Sequence, residues 1–445
     1  MPTELSKRSG RHPFPTFLPS SHFAPPFVCA WWRDVTIQTP HLQPMYALDL
    51  ANQTLHSRYT NVDGGLPTLP YARLRLWIHS TVPNSQLPSE LEVLPSLATH
   101  ASRWREVKLD CGLWPVLEYI GTKLPLPHLE KLQLHYETNA SWWTDAKTSD
   151  HVSFFEQAPA LRALVLYNRQ SLPSGITSLP FSLPWTQLTD LTVNPQITPA
   201  LCLDILCSCT SLQKLTLRED PWQRASGPPP RTLRTGIFRG RSFTVEVLDG
   251  SHALPFLEAV SAPCITKFDL TVSRNIQIEP LLSFFDKSHC GLLHLKLSWA
   301  DEYPTAAEFE QIITRFPALQ HLHLHLAFHH KIATLFRGLQ GHAIAMRALA
   351  NTLIGTLCSL RRSGKLSKLT ALHFGSEFDC EWRTVRDQLV PTFVHDMPVR
   401  ELWLETPLEK DEWVNELPSL SQKVELYGMQ SCFDMKAPFR RYDMF

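Results

Sequence analysis

Leu129-Glu130-Lys131-Leu132-Gln133-Leu134 decides the fold, because its apolar spacing returns along the whole chain. The same first, fourth and sixth positions are apolar at Leu161/Leu164/Leu166, Leu188/Leu191/Val193 and Leu212/Leu215/Leu217. They are apolar again at Ile265/Phe268/Leu270, Leu292/Leu295/Leu297, Leu319/Leu322/Leu324, Leu369/Leu372/Phe374 and Val399/Leu402/Leu404. Self-similarity at a period of roughly 20–50 residues marks an architecture of stacked units. On a strand, successive side chains alternate between faces. The fourth and sixth positions therefore point to a core, and the third, fifth and seventh to an open face.

The sixth positions fall at 134, 166, 193, 217, 270, 297, 324, 374 and 404. The steps from 217 to 270 and from 324 to 374 are about twice the rest, as expected if each hides one degenerate repeat. Phe243-Thr-Val245-Glu-Val247 lies in the first step, and the helical stretch 339–362 fills the second. Between strands the pattern turns helical. Thr305-x-x-Glu308 is a capping box ahead of Phe309, Ile312, Ile313 and Phe316, which share one helix face. Thr198-Pro199 supplies an N-cap and a first-turn proline. Pro127, Pro159, Pro263 and Pro317 stand two residues before a first apolar position, where proline ends an incoming helix and favours an extended approach.

L-x-x-L-x-L is the core of a leucine-rich repeat, so the expected fold is α/β. It is an irregular leucine-rich-repeat solenoid, curved, with parallel strands on the concave face and helices outside. An ordinary α/β domain with a leucine-rich parallel sheet shares the composition, but nine matches to one template favour stacking. The repeats are irregular at the ninth position, eight residues after the first leucine, where asparagine often forms a ladder. Here it holds Glu137, Arg169, Gln196, Asp220, Ser273, Ala300, Ala327, Glu377 and Pro407.

Composition narrows the function. The 445 residues carry 42 basic and 42 acidic side chains, so no overall field favours nucleic acid or an acidic membrane. No apolar run reaches the ~18 residues that span a bilayer. Met1-Pro2-Thr3-Glu4 does not open a signal-peptide segment, and ten cysteines lack a CxxC pair. A cytoplasmic or nuclear location is the expectation.

Residues 25–39 read as a separate helix ahead of the repeats, with Phe27, Val28, Trp31, Trp32 and Val35 on one face. Val28-Cys29-Ala-Trp31-Trp32-Arg33-Asp34-Val35, followed by Thr39-Pro40-His41-Leu42, resembles the second half of an F-box. Leu281–Leu297, Phe316–Leu322 and His100–Leu109 are similar to segments of the fungal family in which an F-box precedes irregular leucine-rich repeats. Ser6–Pro13 interrupts the opening helix of an F-box and Gln43 stands where tryptophan is usual, so the motif is truncated or diverged. The resemblance implies the substrate receptor of an SCF-type cullin–RING ubiquitin ligase. Val28, Cys29 and Trp32 would pack the F-box helix and contact a Skp-type adaptor on its cullin scaffold, while the repeats hold an unknown protein substrate. Four segments follow: an irregular 1–27, the F-box-like 28–43, a connector and cap at 44–100, and the solenoid with its C-terminal cap at 101–445.

No phosphate loop, HExxH or GxSxG occurs, so neither a catalytic residue nor a cofactor is expected. Alternation places His321, His323 and His325 on one face. His321 and His325 lie roughly 13 Å apart along a strand, too far for one metal ion. They read as partner-facing, together with His294, Lys296, His373, Trp403 and Glu405 at equivalent positions. The stretch from Arg231 to Arg241, after Gly227-Pro228-Pro229-Pro230, reads as a solvated loop, and Cys202, Cys207 and Cys209 as core or surface thiols.

Overall fold

The computed structural model describes residues 45–49, 54–57, 74–79, 95, 98–110, 119–122, 124–136, 152–153, 155–168, 181–193, 199–218, 235–249, 256–274, 278–300, 303–326, 339–376, 388–389, 391–396 and 399–405. The chain forms two compact units, 1–132 with 157–160, and 133–156 with 161–445.

In the first unit β1 (Met45–Asp49) and β2 (Thr54–Ser57) form an antiparallel pair. β3 (Leu74–His79) runs parallel to β1, and β4 (Trp104–Asp110) runs parallel to β3. Leu74, Leu76 and Ile78 are buried while Arg75, Trp77 and His79 are half-buried, the alternation of a sheet with one covered face. The segment expected to be connector and cap thus carries strands of its own. The next strand, β5 (Lys131–Tyr136), carries the division between the units.

The second unit contains two short parallel pairs: β6 (Val152–Ser153) with β8 (Phe181–Ser182), and β11 (Gly236–Ile237) with β13 (Val260–Ser261). Its main sheet begins with β7 (Ala163–Asn168), β9 (Asp190–Val193), β10 (Lys214–Arg218), β12 (Ser242–Asp249) and β14 (Lys267–Arg274). It continues with β15 (His294–Trp299), β16 (His321–Leu326), β17 (Ala371–Ser376) and β18 (Glu401–Glu405). Each strand pairs in parallel with the next in sequence order. The longest helices described in this unit are α1 (Pro199–Ser208), α2 (Ile278–Ser288), α3 (Ala306–Thr314) and α4 (Leu339–Arg362). The architecture is α/β with a large, open parallel sheet.

Register explains the repeat. Leu295, Leu322 and Leu372 lie side by side, as do Leu297, Leu324 and Phe374, and all are at most 2% exposed. Burying each such side chain is worth roughly 1.5–3 kcal/mol, so a one-residue slip that exposed a whole column is heavily disfavoured. Helices cover this apolar face. The Phe284 ring of α2 stands 5.6 Å from that of Phe243 and 5.5 Å from that of Phe268. The capping box of α3 forms as its sequence predicts: Glu308 N–H donates to the Thr305 hydroxyl, and Thr305 N–H donates to the Glu308 carboxylate at 2.7 Å.

Two backbone devices replace the missing asparagine ladder. A tight turn closes on the first apolar position, as in Leu129 N–H to Leu126 O, Ile265 to Ala262 and Leu319 to Phe316. The prolines at 127, 263 and 317 occupy the second residue of these turns, where their fixed φ suits the geometry. They do more than end a helix. The second-position carbonyl then accepts two consecutive N–H groups from the next strand. Leu293 O takes Gln320 and His321, Gln320 O takes Thr370 and Ala371, and Thr370 O takes Arg400 and Glu401.

The two long steps differ. The first holds the degenerate repeat: β12 pairs in register with β10 and β14, placing Phe243 and Val245 at the fourth and sixth positions. Gly240 takes the place of the first leucine. A Cβ there would lie 2.3 Å from the Phe238 ring and 2.6 Å from the Gln213 carbonyl oxygen, so Phe238, 1% exposed, fills the leucine's space from two residues upstream. The second step hides no repeat, contrary to expectation. β16 pairs directly with β17, and the 24-residue α4 occupies the extra length.

Candidate partner-binding face

The face of β15–β18 opposite the buried leucines gathers the expected partner-facing side chains into rows. Lys296, His323, His373 and Trp403 are register neighbours in one row, and His294 and His321 begin the next. His325 lies opposite Ser298, and Glu405 pairs with Gly375 through its backbone. The His294 and His321 rings stack at 4.2 Å between centroids and 11° between planes. The His323 and His373 rings lie 3.9 Å apart, and Trp403 stands 5.8 Å beyond His373. The Ser298 hydroxyl and His325 Nδ1 share a hydrogen bond at 3.3 Å.

The imidazoles therefore associate across strands in pairs and not along one strand. Among the described residues no three His, Cys, Asp or Glu side chains converge on a metal position. Burial, with His321 and Lys267 beside it, holds the His294 imidazole below the usual histidine value, while Asp269 opposes the shift.

Neighbouring strands carry charge on the same face in compensated form. Lys214 faces Asp190 at 3.8 Å, Arg218 faces Glu246 at 3.5 Å and Lys267 faces Asp269 at 3.2 Å. These partly exposed pairs each contribute little, about 0–1 kcal/mol, but they neutralise that part of the face. β15, β16 and β17 bring no acidic residue to it.

The first unit holds a cluster that the pattern reading did not single out. Glu106 on β4 accepts from Arg75 at 2.7 Å and from Lys131 at 2.8 Å, and the Lys108 ammonium sits 4.4 Å from the Trp77 ring centre. These are third- and fifth-position residues. Arg75 lies on β3 and Glu106 on β4, and the register of the two strands joins them. Burial pushes the Glu106 carboxyl up, yet the Lys131 and Arg75 charges outweigh it and hold the group below its usual value. The stabilisation is complete above the unfolded carboxyl value near ~4.3 and is lost as pH falls through the lower folded value. Glu106→Gln is expected to cost about 1–2 kcal/mol at pH 7. It should also shrink the acid-induced loss of stability, read by urea unfolding between pH 3 and 7. An unchanged acid limb would place the titrating group elsewhere.

Other sequence candidates are bland in structure. Arg239 and Arg241 are exposed. Cys202 and Cys209 are buried, which pushes both thiols to about 12 and leaves them unreactive. Val28, Cys29 and Trp32 lie outside the described residues. No described helix is long and apolar enough to cross a membrane. The chain matches no protein-family model and no curated protein.

Proposed function

We propose that the protein is an interaction module: an irregular leucine-rich-repeat solenoid that holds a protein partner on its open strand face. One observation carries the reading. Successive parallel strands bury their leucines on one side and present imidazoles, Lys296 and Trp403 in register on the other. A rigid sheet that displays a row of polar groups beside an aromatic side chain suits binding, since tryptophan is over-represented among interface hot spots. The reading assigns no catalytic group and no cofactor. The F-box-like segment 28–43 makes the module the substrate-recognition subunit of an SCF-type ubiquitin ligase, with Val28, Cys29 and Trp32 toward the Skp-type adaptor. The competing reading is a repeat scaffold without a ubiquitin-ligase role.

Trp32→Ala separates the two. Removing a large aromatic anchor from an interface commonly costs ~2 kcal/mol or more, so co-purification with a Skp-type adaptor is expected to fall at least ~30-fold while the thermal melt of the repeats is unchanged. An unsubstituted chain that never captures the adaptor would leave only the scaffold.

A further inference from the structure

We infer that the pocket between α3, α4 and Gln388 receives an arginine side chain of a partner protein. The inference adds a second point of contact to the interaction module, among the helices, and does not depend on what docks on the strand face.

The extra helix builds the pocket. α4 has 24 residues, against 10, 11 and 9 in α1, α2 and α3. One of its faces borders a pocket of about 510 Å³, within the ~300–1,000 Å³ usual for ligand sites. Asn351, Thr352, Gly355 and Thr356 lie on that face, and Glu310 of α3 and Gln388 stand beside it. Gln388 is anchored, because the fully buried Thr392 donates its hydroxyl proton to the Gln388 carbonyl at 2.7 Å. Gly355 keeps the pocket open. A Cβ there would meet only Gln388 Oε1, at 3.4 Å, so no close approach demands a glycine, a poor residue for the middle of a helix.

The lining is biased towards acceptors. Thr352 donates its hydroxyl proton to the Ala348 carbonyl at 2.7 Å, and Thr356 donates to the Thr352 carbonyl at 2.9 Å. Each oxygen keeps its capacity to accept. Asn351 Oδ1 is buried with no hydrogen-bond partner among the described residues, and a half-turn about its soft terminal torsion presents it to a guest. The Glu310 carboxylate accepts from Lys365 at 2.9 Å through Oε1 alone. Such a lining calls for a guest rich in N–H groups and without acceptors of its own.

A guanidinium answers that description, with five donors in a planar fork. An incoming ammonium would only exchange with that of Lys365 at Glu310. A guanidinium can instead take the second carboxylate oxygen and a neighbouring acceptor with the same fork. Lys365 is thus the resident competitor, and its removal favours the guest. Thr352 and Gln388 are exposed, so the pocket is open and polar. It suits a side chain protruding from a protein surface better than an enclosed, apolar small molecule.

The test titrates N-acetyl-arginine amide into the full chain, with dissociation constants from ligand-observed NMR. The neutral citrulline amide, the lysine amide and free arginine are the comparisons. The arginine amide is expected to bind at least ~5-fold more tightly than the citrulline and lysine amides. Glu310→Gln should weaken it about 5-fold, and Lys365→Gln should tighten it about 2-fold. Gly355→Leu should abolish binding. Gly355→Ala should weaken it at a melting temperature no lower than that of the unsubstituted chain, which separates a filled pocket from a lost fold. Equal binding of the citrulline or lysine amide, full binding by both folded Gly355 variants, or no binding of the arginine amide by folded protein would overturn the inference. Tighter binding of free arginine would make the guest the amino acid itself and remove the partner protein as its source. Adaptor co-purification on the same preparations keeps the outcomes apart: failure here with adaptor capture intact removes the arginine pocket and leaves the ligase role standing.

Discussion

Gly240→Leu, which supplies the residue that the repeat template asks for, is expected to destabilise the protein by about 3 kcal/mol. The slot is already full. A Cβ at 240 meets the Phe238 ring at 2.3 Å and the Gln213 carbonyl oxygen at 2.6 Å, and that carbonyl accepts the N–H groups of Arg241 and Ser242. Phe238→Ala alone should cost about 3–5 kcal/mol, because it empties a fully buried site beside Phe243, whose ring lies 5.7 Å away. The double variant is the informative one. Leucine at 240 would occupy part of the volume that Phe238 leaves, so the combined loss should fall short of the sum by roughly 2 kcal/mol. Rescue stays partial because the Gln213 carbonyl must still move. Urea unfolding of the four proteins reads the coupling, and strict additivity would mean that Phe238 does not stand in for the leucine.

Phe284→Ala is expected to cost about 3–5 kcal/mol, a large fraction of the ~5–15 kcal/mol that holds a domain folded. Phe284 is fully buried on α2, with ring centres 5.6, 5.5 and 5.4 Å from Phe243, Phe268 and Phe285. Those partners belong to two strands and the helix itself, so truncation opens a cavity where helix and sheet meet. Glu279, exposed on the same helix, provides the control: Glu279→Ala should stay within about 0.5 kcal/mol. A Phe284→Ala melt matching that of Glu279→Ala would show that this helix does not anchor the sheet.

Much of this was legible in the residues. Period-two alternation gave the buried columns Leu295/Leu297, Leu322/Leu324 and Leu372/Phe374. The Thr305–Glu308 box placed the start of α3, and the helical pattern at 339–362 gave α4 to the residue. The strand at Ser242–Asp249 was only half legible, because its first core position is a glycine whose space is filled from Phe238, outside the template. The doubled length before β17 misled in the opposite direction, since one long helix and a missing repeat lengthen the spacing alike.

The candidate face divides in the same way. Which side chains leave the core is fixed locally, by the alternation of a single strand, and the sequence by itself determined that Lys296, His321, His323, His325, His373 and Trp403 face away from the leucines. Which of them meet was decided only by tertiary structure. His294 stacks on His321, and His323 on His373, because parallel strands separated by whole connecting segments settle into one register. Glu106 lies between Arg75 and Lys131 for the same reason. Register is set by the summed burial of leucines along each strand and by the turns that feed it, an energy that belongs to the assembled sheet and to no single stretch of chain.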